Sequence, residues 1–178
     1  GAALAHHYAA LGWRVAITDI DAERARQTLA SLPSPADGHL SMPLDVTNGE
    51  HWEQLEAAIR KQWGGLQILV NNAGVAAAGN IEETSIEDWQ WVLDIDLMGV
   101  VRGCRQFAGM LKQQKSGHIV NIASFAGLAA LPFVSAYGVA KAGVVALSEA
   151  LWAEMKPHGV GVTVACPAFV KTRLLDTF

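Results

Sequence analysis

Tyr137 and Lys141 stand four residues apart in the stretch SAYGVAKAG, residues 135–143. In a helix that step puts both side chains on one face, about 5–6 Å apart at Cβ. A phenol with a pKa near 10 is a poor acid or base at neutral pH. A neighbouring ammonium favours the phenolate and lowers that value. Such a pair can pass a proton to or from a substrate oxygen. The same spacing also suits a surface tyrosine and lysine on an amphipathic helix, and alone it does not decide between the two. Glycine inside a helix costs on the order of 1 kcal/mol relative to alanine, so Gly138 and Gly143 call for a reason.

Other polar residues stand where chemistry would need them. Ser124 closes the apolar run HIVNIAS, thirteen residues before Tyr137. Its hydroxyl can steady a substrate oxygen or cap the next turn. Asp19 follows WRVAIT directly. A carboxylate at such a strand end can accept hydrogen bonds from both hydroxyls of an adenosine ribose; it can equally make a turn or cap the helix after Asp21. The stretch VNNAG, residues 70–74, puts two amides and a glycine at another strand end. Gly74 there permits close approach of a flat ligand.

Asp96 is out of place. Trp89, Leu93, Asp96, Val100, Cys104, Phe107 and Leu111 recur at three- and four-residue steps, one apolar stripe of a helix. A carboxylate in that stripe is costly unless paired or solvated. Either Asp96 meets Lys141, directly or through water, or it faces a wet cleft.

The elements that must position these residues follow from the hydrophobic pattern. Short, nearly continuous apolar strands (WRVAIT, HLSMPL, LQILV, GHIVNIAS, VGVTVAC) alternate with helical patterns over about 2–12, 22–31, 49–63, 86–115 and the segment from Tyr137 to KPHG. Thr47 or Asn48 can cap the third helix. Strands apolar on both faces belong to a parallel sheet covered by helices. Ligands of such sheets bind beyond the carboxyl ends of the strands, where Asp19, Asp45, NNAG, Ser124 and CPAFVKT collect.

The chain has 178 residues, of which 51% are hydrophobic and 17% charged, with a formal net charge of −4. One domain with a substantial core fits, and no electrostatic case arises for nucleic acid or an acidic membrane. Cys104 and Cys166 lie far apart, the six histidines are scattered, and no metal site is expected. A reducing cytoplasm fits the cysteine usage. No run reaches the ~20 apolar residues of a membrane span. The sequence opens on glycine, enters a helix at once and stops at TRLLDTF; it reads as one domain over 1–178, trimmed at both ends.

Taken in order, Asp19, Asp45-Val46, NNAG, Ser124, Tyr137 and Lys141 resemble the short-chain dehydrogenases/reductases over essentially the whole chain. The resemblance implies an α/β fold: a Rossmann-type doubly wound parallel sheet flanked by helices, without its first strand and C-terminal segment. It implies hydride transfer between NAD(H) and an alcohol or carbonyl substrate. Ser124, Tyr137 and Lys141 would be catalytic, with Asp96 standing where the family usually has a catalytic asparagine. Gly1 would be the last glycine of the phosphate loop. Asp45 and Val46 would flank the adenine, and Asn72, Ala73 and Gly74 would line the cofactor channel. CPAFVKT resembles the family's PGxxxT segment: Pro167 is kept, Ala168 replaces glycine, and Val170 and Thr172 would hold the nicotinamide carboxamide. Asp19, followed by Ile20 rather than a basic residue, leans to NAD over NADP. The resemblance also implies a homodimer or homotetramer. Ala136, Ala140, Gly143 and Ala150 would let another helix approach, or would serve packing inside the subunit. The alternative is a catalytically impaired relative that binds a partner or oligomerises; a weaker third reading is an epimerase or dehydratase of the wider superfamily.

Overall fold

The computed structural model describes residues 1–33, 38–168 and 170. The chain divides into two compact units, Gly1–Gly64 and Gly65–Phe178.

The first unit runs α1 (Ala2–Ala10), β1 (Ala16–Asp19), α2 (Ala22–Ala30), β2 (Leu40–Pro43) and α3 (Gly49–Trp63). β1 and β2 pair in parallel, Ala16 opposite Leu40 and Asp19 opposite Pro43. Parallel strands cannot be joined by a tight hairpin, and α2 makes the crossover. Its start is fixed by Asp21, whose Oδ1 accepts from the amides of Glu23 and Arg24 at 2.9 and 3.2 Å. Asn48 performs the same task for α3, accepting from the Glu50 amide. Ala5, Ile17 and Ala25, one from each of three elements, form a small core with Val15, Leu29 and Leu32 around it.

The second unit runs β3 (Ile68–Asn71), α4 (Ile86–Leu93), α5 (Gly99–Gln114), β4 (Gly117–Ile122), α6 (Ser135–Met155) and β5 (Val160–Ala165). Its sheet has the order β3-β4-β5, all parallel. Both connections inside the sheet are helical, as parallel pairing requires. The long helical pattern over 86–115 is realised with an interruption. A π-helical turn, Asp94–Met98, joins α4 to α5, and the Gly99 amide donates to the Asp94 carbonyl. Arg102 holds this turn through Nη1 to the Asp94 carbonyl (3.2 Å) and Nη2 to its carboxylate (2.6 Å). Such turns wind one extra residue into a helix, and they concentrate at functional sites.

The apolar stripe packs as its spacing predicts: Val100, Cys104, Phe107 and Leu111 are buried. The small residues of α6 also find their reason. Ala136 and Ala140 are buried against Val92 of α4, with Val75, Leu93 and Leu97 alongside. A side chain at Gly143 would meet Leu97 at 3.0 Å. These three residues thus serve packing inside the chain, while Ala150 is exposed. A 3₁₀ turn, Phe125–Gly127, follows β4. There a Cβ on Gly127 would lie 2.7 Å from the carbonyl carbon and oxygen of Lys141. The turn lies against the backbone of α6 at the residue that carries the ammonium.

Polar groups are buried in the sheet as well. Asn71 and Asn121 are register partners on β3 and β4. Asn71 Nδ2 donates to Asn121 Oδ1 at 2.8 Å, and Asn121 Nδ2 donates to Ser148 Oγ at 3.0 Å. Ser148 in turn donates to the Val144 carbonyl at 2.6 Å. Cys104 Sγ sits 3.4 Å from Asn71 Nδ2. Burial pushes the Cys104 thiol up to about 11, against the two asparagine contacts.

Two outcomes follow from this packing. Gly127→Ala forces main chain against main chain and is expected to cost about 1–3 kcal/mol. Thermal unfolding should show a loss of about 2–12 °C, whereas an unchanged Tm would mean that the turn does not lie so close. At about pH 8 a thiol with a pKa near 11 is only ~0.1% thiolate. Iodoacetamide should leave Cys104 unmodified in the folded protein and alkylate it after denaturation, as peptide mass mapping can read. Rapid labelling of the native protein would show that the polar network opens.

Candidate active site

Four chain segments of the second unit meet around Lys141. The end of β4 supplies the Ile122 carbonyl, which accepts from Lys141 Nζ at 3.1 Å. The π-turn supplies Asp96, whose Oδ2 lies 3.1 Å from Nζ. The loop after β3 supplies the Val75 amide, which donates to Asp96 Oδ1 at 2.7 Å. α6 supplies the lysine itself and, one turn earlier, Tyr137. The lysine side chain is 4% exposed and the aspartate side chain 0%. In a parallel sheet the strand ends and the helix starts collect on one edge, so residues from 75 to 141 gather in one place.

The ion pair is a charge contact more than a directed bond. Oδ2 has no well-aligned hydrogen-bond donor, despite the 3.1 Å approach of the ammonium. Burial pushes the Asp96 carboxyl above its ordinary value; the Lys141 charge and the Val75 amide work against that rise. Gly74 leaves the room this arrangement needs. A Cβ there would come within 3.1 Å of Asp96 Oδ2 and 3.4 Å of Lys141 Nζ.

Tyr137 is half-buried, with Lys141 Nζ 5.5 Å from its ring centre. Its pKa departs from expectation. Burial pushes the phenol above its ordinary value; a hydrogen bond with Ser124 opposes the rise and the Asp96 carboxylate adds to it. Lys141, whose ammonium is held by the Asp96 carboxylate and the Ile122 carbonyl, does not bring the phenol below its ordinary value. Ser124 is buried and also accepts from the Ala126 amide at 3.2 Å, capping the turn that follows. Of the two tasks foreseen for its hydroxyl, the cap is present.

The remaining residues named from the sequence fall as follows. Asn72, Ala73 and Gly74 are exposed at the end of β3. Pro167 is half-buried, and its carbonyl accepts from the Phe125 amide at 2.9 Å. Ala168 keeps a φ outside the left-handed region, so alanine fits where the family pattern has glycine. Val170 is exposed, and Thr172 lies outside the described residues. In the first unit Asp19 ends β1, with Oδ1 accepting from the Asp21 amide at 3.0 Å. Gly1 is the N-cap of α1. Asp45 Oδ1 accepts from the amide and hydroxyl of Thr47 at 2.9 and 2.7 Å, and Val46 gives its carbonyl to Trp52 Nε1 at 3.1 Å.

Sequence reasoning missed the pairing of Asn71 with Asn121. The signal was an asparagine inside each of two apolar strands. It becomes readable only when the register places one opposite the other.

The whole chain, residues 1–178, matches the family model described as short chain dehydrogenase. D-threitol dehydrogenase of Mycolicibacterium smegmatis is 37% identical over 98% of this chain and 67% of that protein. The probable oxidoreductase EphD of Mycobacterium tuberculosis is also 37% identical, over 96% of this chain but only 29% of its own length. Among solved structures, a short-chain dehydrogenase/reductase from Burkholderia phymatum in complex with NAD superposes with a TM-score of 0.93 at 36% identity. That match covers 98% of this chain and 63% of the other. The fold is accordingly Rossmann-like, with parallel sheets flanked by helices. By its full-length family match and by these relatives, the chain belongs to the short-chain dehydrogenases/reductases, a family of oxidoreductases.

Proposed function

We propose that this protein transfers a hydride between NAD(H) and an alcohol or ketone, with Tyr137 as the proton donor and acceptor. The observation that carries this reading is the grouping on the second unit. Lys141 Nζ lies 5.5 Å from the Tyr137 ring centre, one helical turn along the same face, and Ser124 is near enough to the phenol to oppose the rise in its pKa. The bound cofactor would supply the hydride acceptor or donor. In reduction the Tyr137 hydroxyl gives its proton to the carbonyl oxygen as the alcohol forms; in oxidation the phenolate takes it back. Ser124 Oγ holds the substrate oxygen toward Tyr137. A lysine ammonium has three N–H donors. One is aimed at the Ile122 carbonyl, and in this proposal another holds the nicotinamide ribose.

The residues suit such a cofactor. In the second unit, Asn72, Ala73 and Gly74 are exposed, with Gly74 beside the Lys141–Asp96 pair, and Pro167, Val170 and Thr172 would take the carboxamide end. In the first unit, the Asp19 carboxylate would accept from the ribose hydroxyls and repel a 2′-phosphate, which favours NAD. Asp45, Val46 and Gly1 would complete the adenosine side, all as parts of one dinucleotide-binding domain. Phe125, Leu128, Leu131 and Phe133 are exposed on the loop before α6 and would form an apolar wall for substrate. We include a cytoplasmic homodimer or homotetramer in the same proposal, formed through the exposed Val139 and Trp152 of α6.

Fluorescence titration of NADH and NADPH, followed by assay of alcohols that include polyols and hydroxysteroids, tests this reading. NADH should bind more tightly than NADPH, and Asp19→Ala should narrow the difference. Tyr137→Phe should retain NADH binding while turnover falls by about 10²–10⁴. Cofactor binding without turnover of any alcohol would overturn the proposal.

A further inference from the structure

One buried group takes no part in the proposed proton transfer. Asp96 is 0% exposed. It is held from three sides: by the Val75 amide, by Lys141 Nζ, and by the π-turn that carries it. A residue serving only to shape the turn needs no charge, because a neutral amide could accept from Val75 equally well. The charge acts on Lys141, and through it on the phenol one helical turn away.

We infer that Asp96 is a positioning and charge-compensating residue that cancels the Lys141 ammonium and so keeps Tyr137 a neutral phenol, biasing the site toward proton donation and carbonyl reduction near neutral pH. This rests on the function proposed above. The geometry is explicit: Asp96 Oδ2 to Lys141 Nζ 3.1 Å, and Nζ to the Tyr137 ring centre 5.5 Å. An ammonium alone at that distance would favour the phenolate. An ammonium with a carboxylate against it leaves burial to dominate, and burial favours the neutral phenol.

The other charged groups nearby do not compete. On α5, Arg102 is bound to the carboxylate and carbonyl of Asp94. Cys104, further along the same face, is pushed to about 11. On α4, Glu87 and Asp88 are exposed, and Asp88 is bonded to Ser85. The groups facing the Asp96 carboxylate that bear on the reaction are therefore Lys141 and Tyr137 of α6.

The test is a titration of Tyr137 in the intact protein without cofactor. The chain has two tyrosines, so ring-carbon NMR of labelled tyrosine resolves Tyr137 from Tyr8, with Tyr137→Phe giving the assignment. In the wild type Tyr137 should ionise at or above the ordinary value of ~10. In Asp96→Asn the ammonium is uncompensated, and the midpoint should fall by about one pH unit or more. Turnover should follow the same sign: the pH at which alcohol oxidation reaches half its plateau moves down, so oxidation near neutral pH rises by about tenfold. A purely structural role would lower kcat at every pH and leave the midpoint fixed. Asp96→Ser removes the charge with a smaller side chain and should move the midpoint in the same direction. A wild-type midpoint well below ~10, or midpoints unmoved in both variants, overturns the inference. The titration needs no substrate, so it stands even if the protein turns over no alcohol, an outcome that would remove only the proposed function.

Discussion

A carboxylate and an ammonium buried together constrain everything near them. Taking two such charges out of water is expensive, and their mutual attraction offsets the cost only when the geometry is good and the remaining polar atoms find partners. At Asp96 and Lys141 those partners are main-chain groups: the Val75 amide and the Ile122 carbonyl. The loop after β3 and the end of β4 must therefore hold fixed positions relative to α6. The lack of a side chain at Gly74 and the close approach of Gly127 to the α6 backbone answer the same demand. Removing one partner of such a pair costs on the order of 3–5 kcal/mol, because the other charge is left buried and alone.

Seen from this pair, the parallel topology is the cheapest way to bring the right atoms together. Residues 75, 96, 122 and 141 are widely separated in sequence, yet each lies at or near the end of an element that faces the same edge of the β3-β4-β5 sheet. The π-turn supplies the last adjustment. It carries Asp96, buried, to the ammonium of α6. Arg102 satisfies the carbonyl and carboxylate of Asp94 at the start of that turn.

Much of this was legible in the sequence because the relevant signals are local. Among the described residues, apolar runs and helical periods located the five strands and the longer helices, with 86–115 read as one helix; Thr47 or Asn48 was expected as a cap, and the four-residue step from Tyr137 to Lys141 fixed their common face. Asp96 was conspicuous as a carboxylate among apolar neighbours, and its pairing with Lys141 was one of two outcomes its position allowed. Nonlocal facts were hidden. Strand register decides that Asn71 meets Asn121. The partner of the small residues on α6 proved to be α4 and the π-turn of the same chain, which periodicity cannot distinguish from a second subunit. The π-turn leaves no trace, since the stripe keeps its three- and four-residue steps across it. The direction of the Tyr137 shift was misjudged for a related reason: sequence shows a cation four residues away, while burial and the carboxylate opposing that cation exist only in three dimensions.

The pair also separates what the fold requires from what the site requires. Replacing a buried ion pair with apolar side chains of similar volume is often neutral, or stabilising by about 1–4 kcal/mol. Here it would leave the Val75 amide and the Ile122 carbonyl without the partners the pair now gives them, so the two charges are also tied to the local main chain. A lysine near the tyrosine without a counter-charge would favour the phenolate, and an apolar residue would leave burial unopposed. With the ammonium held by a carboxylate, burial sets the direction for the phenol, and Asp96 adds to the rise that Ser124 opposes.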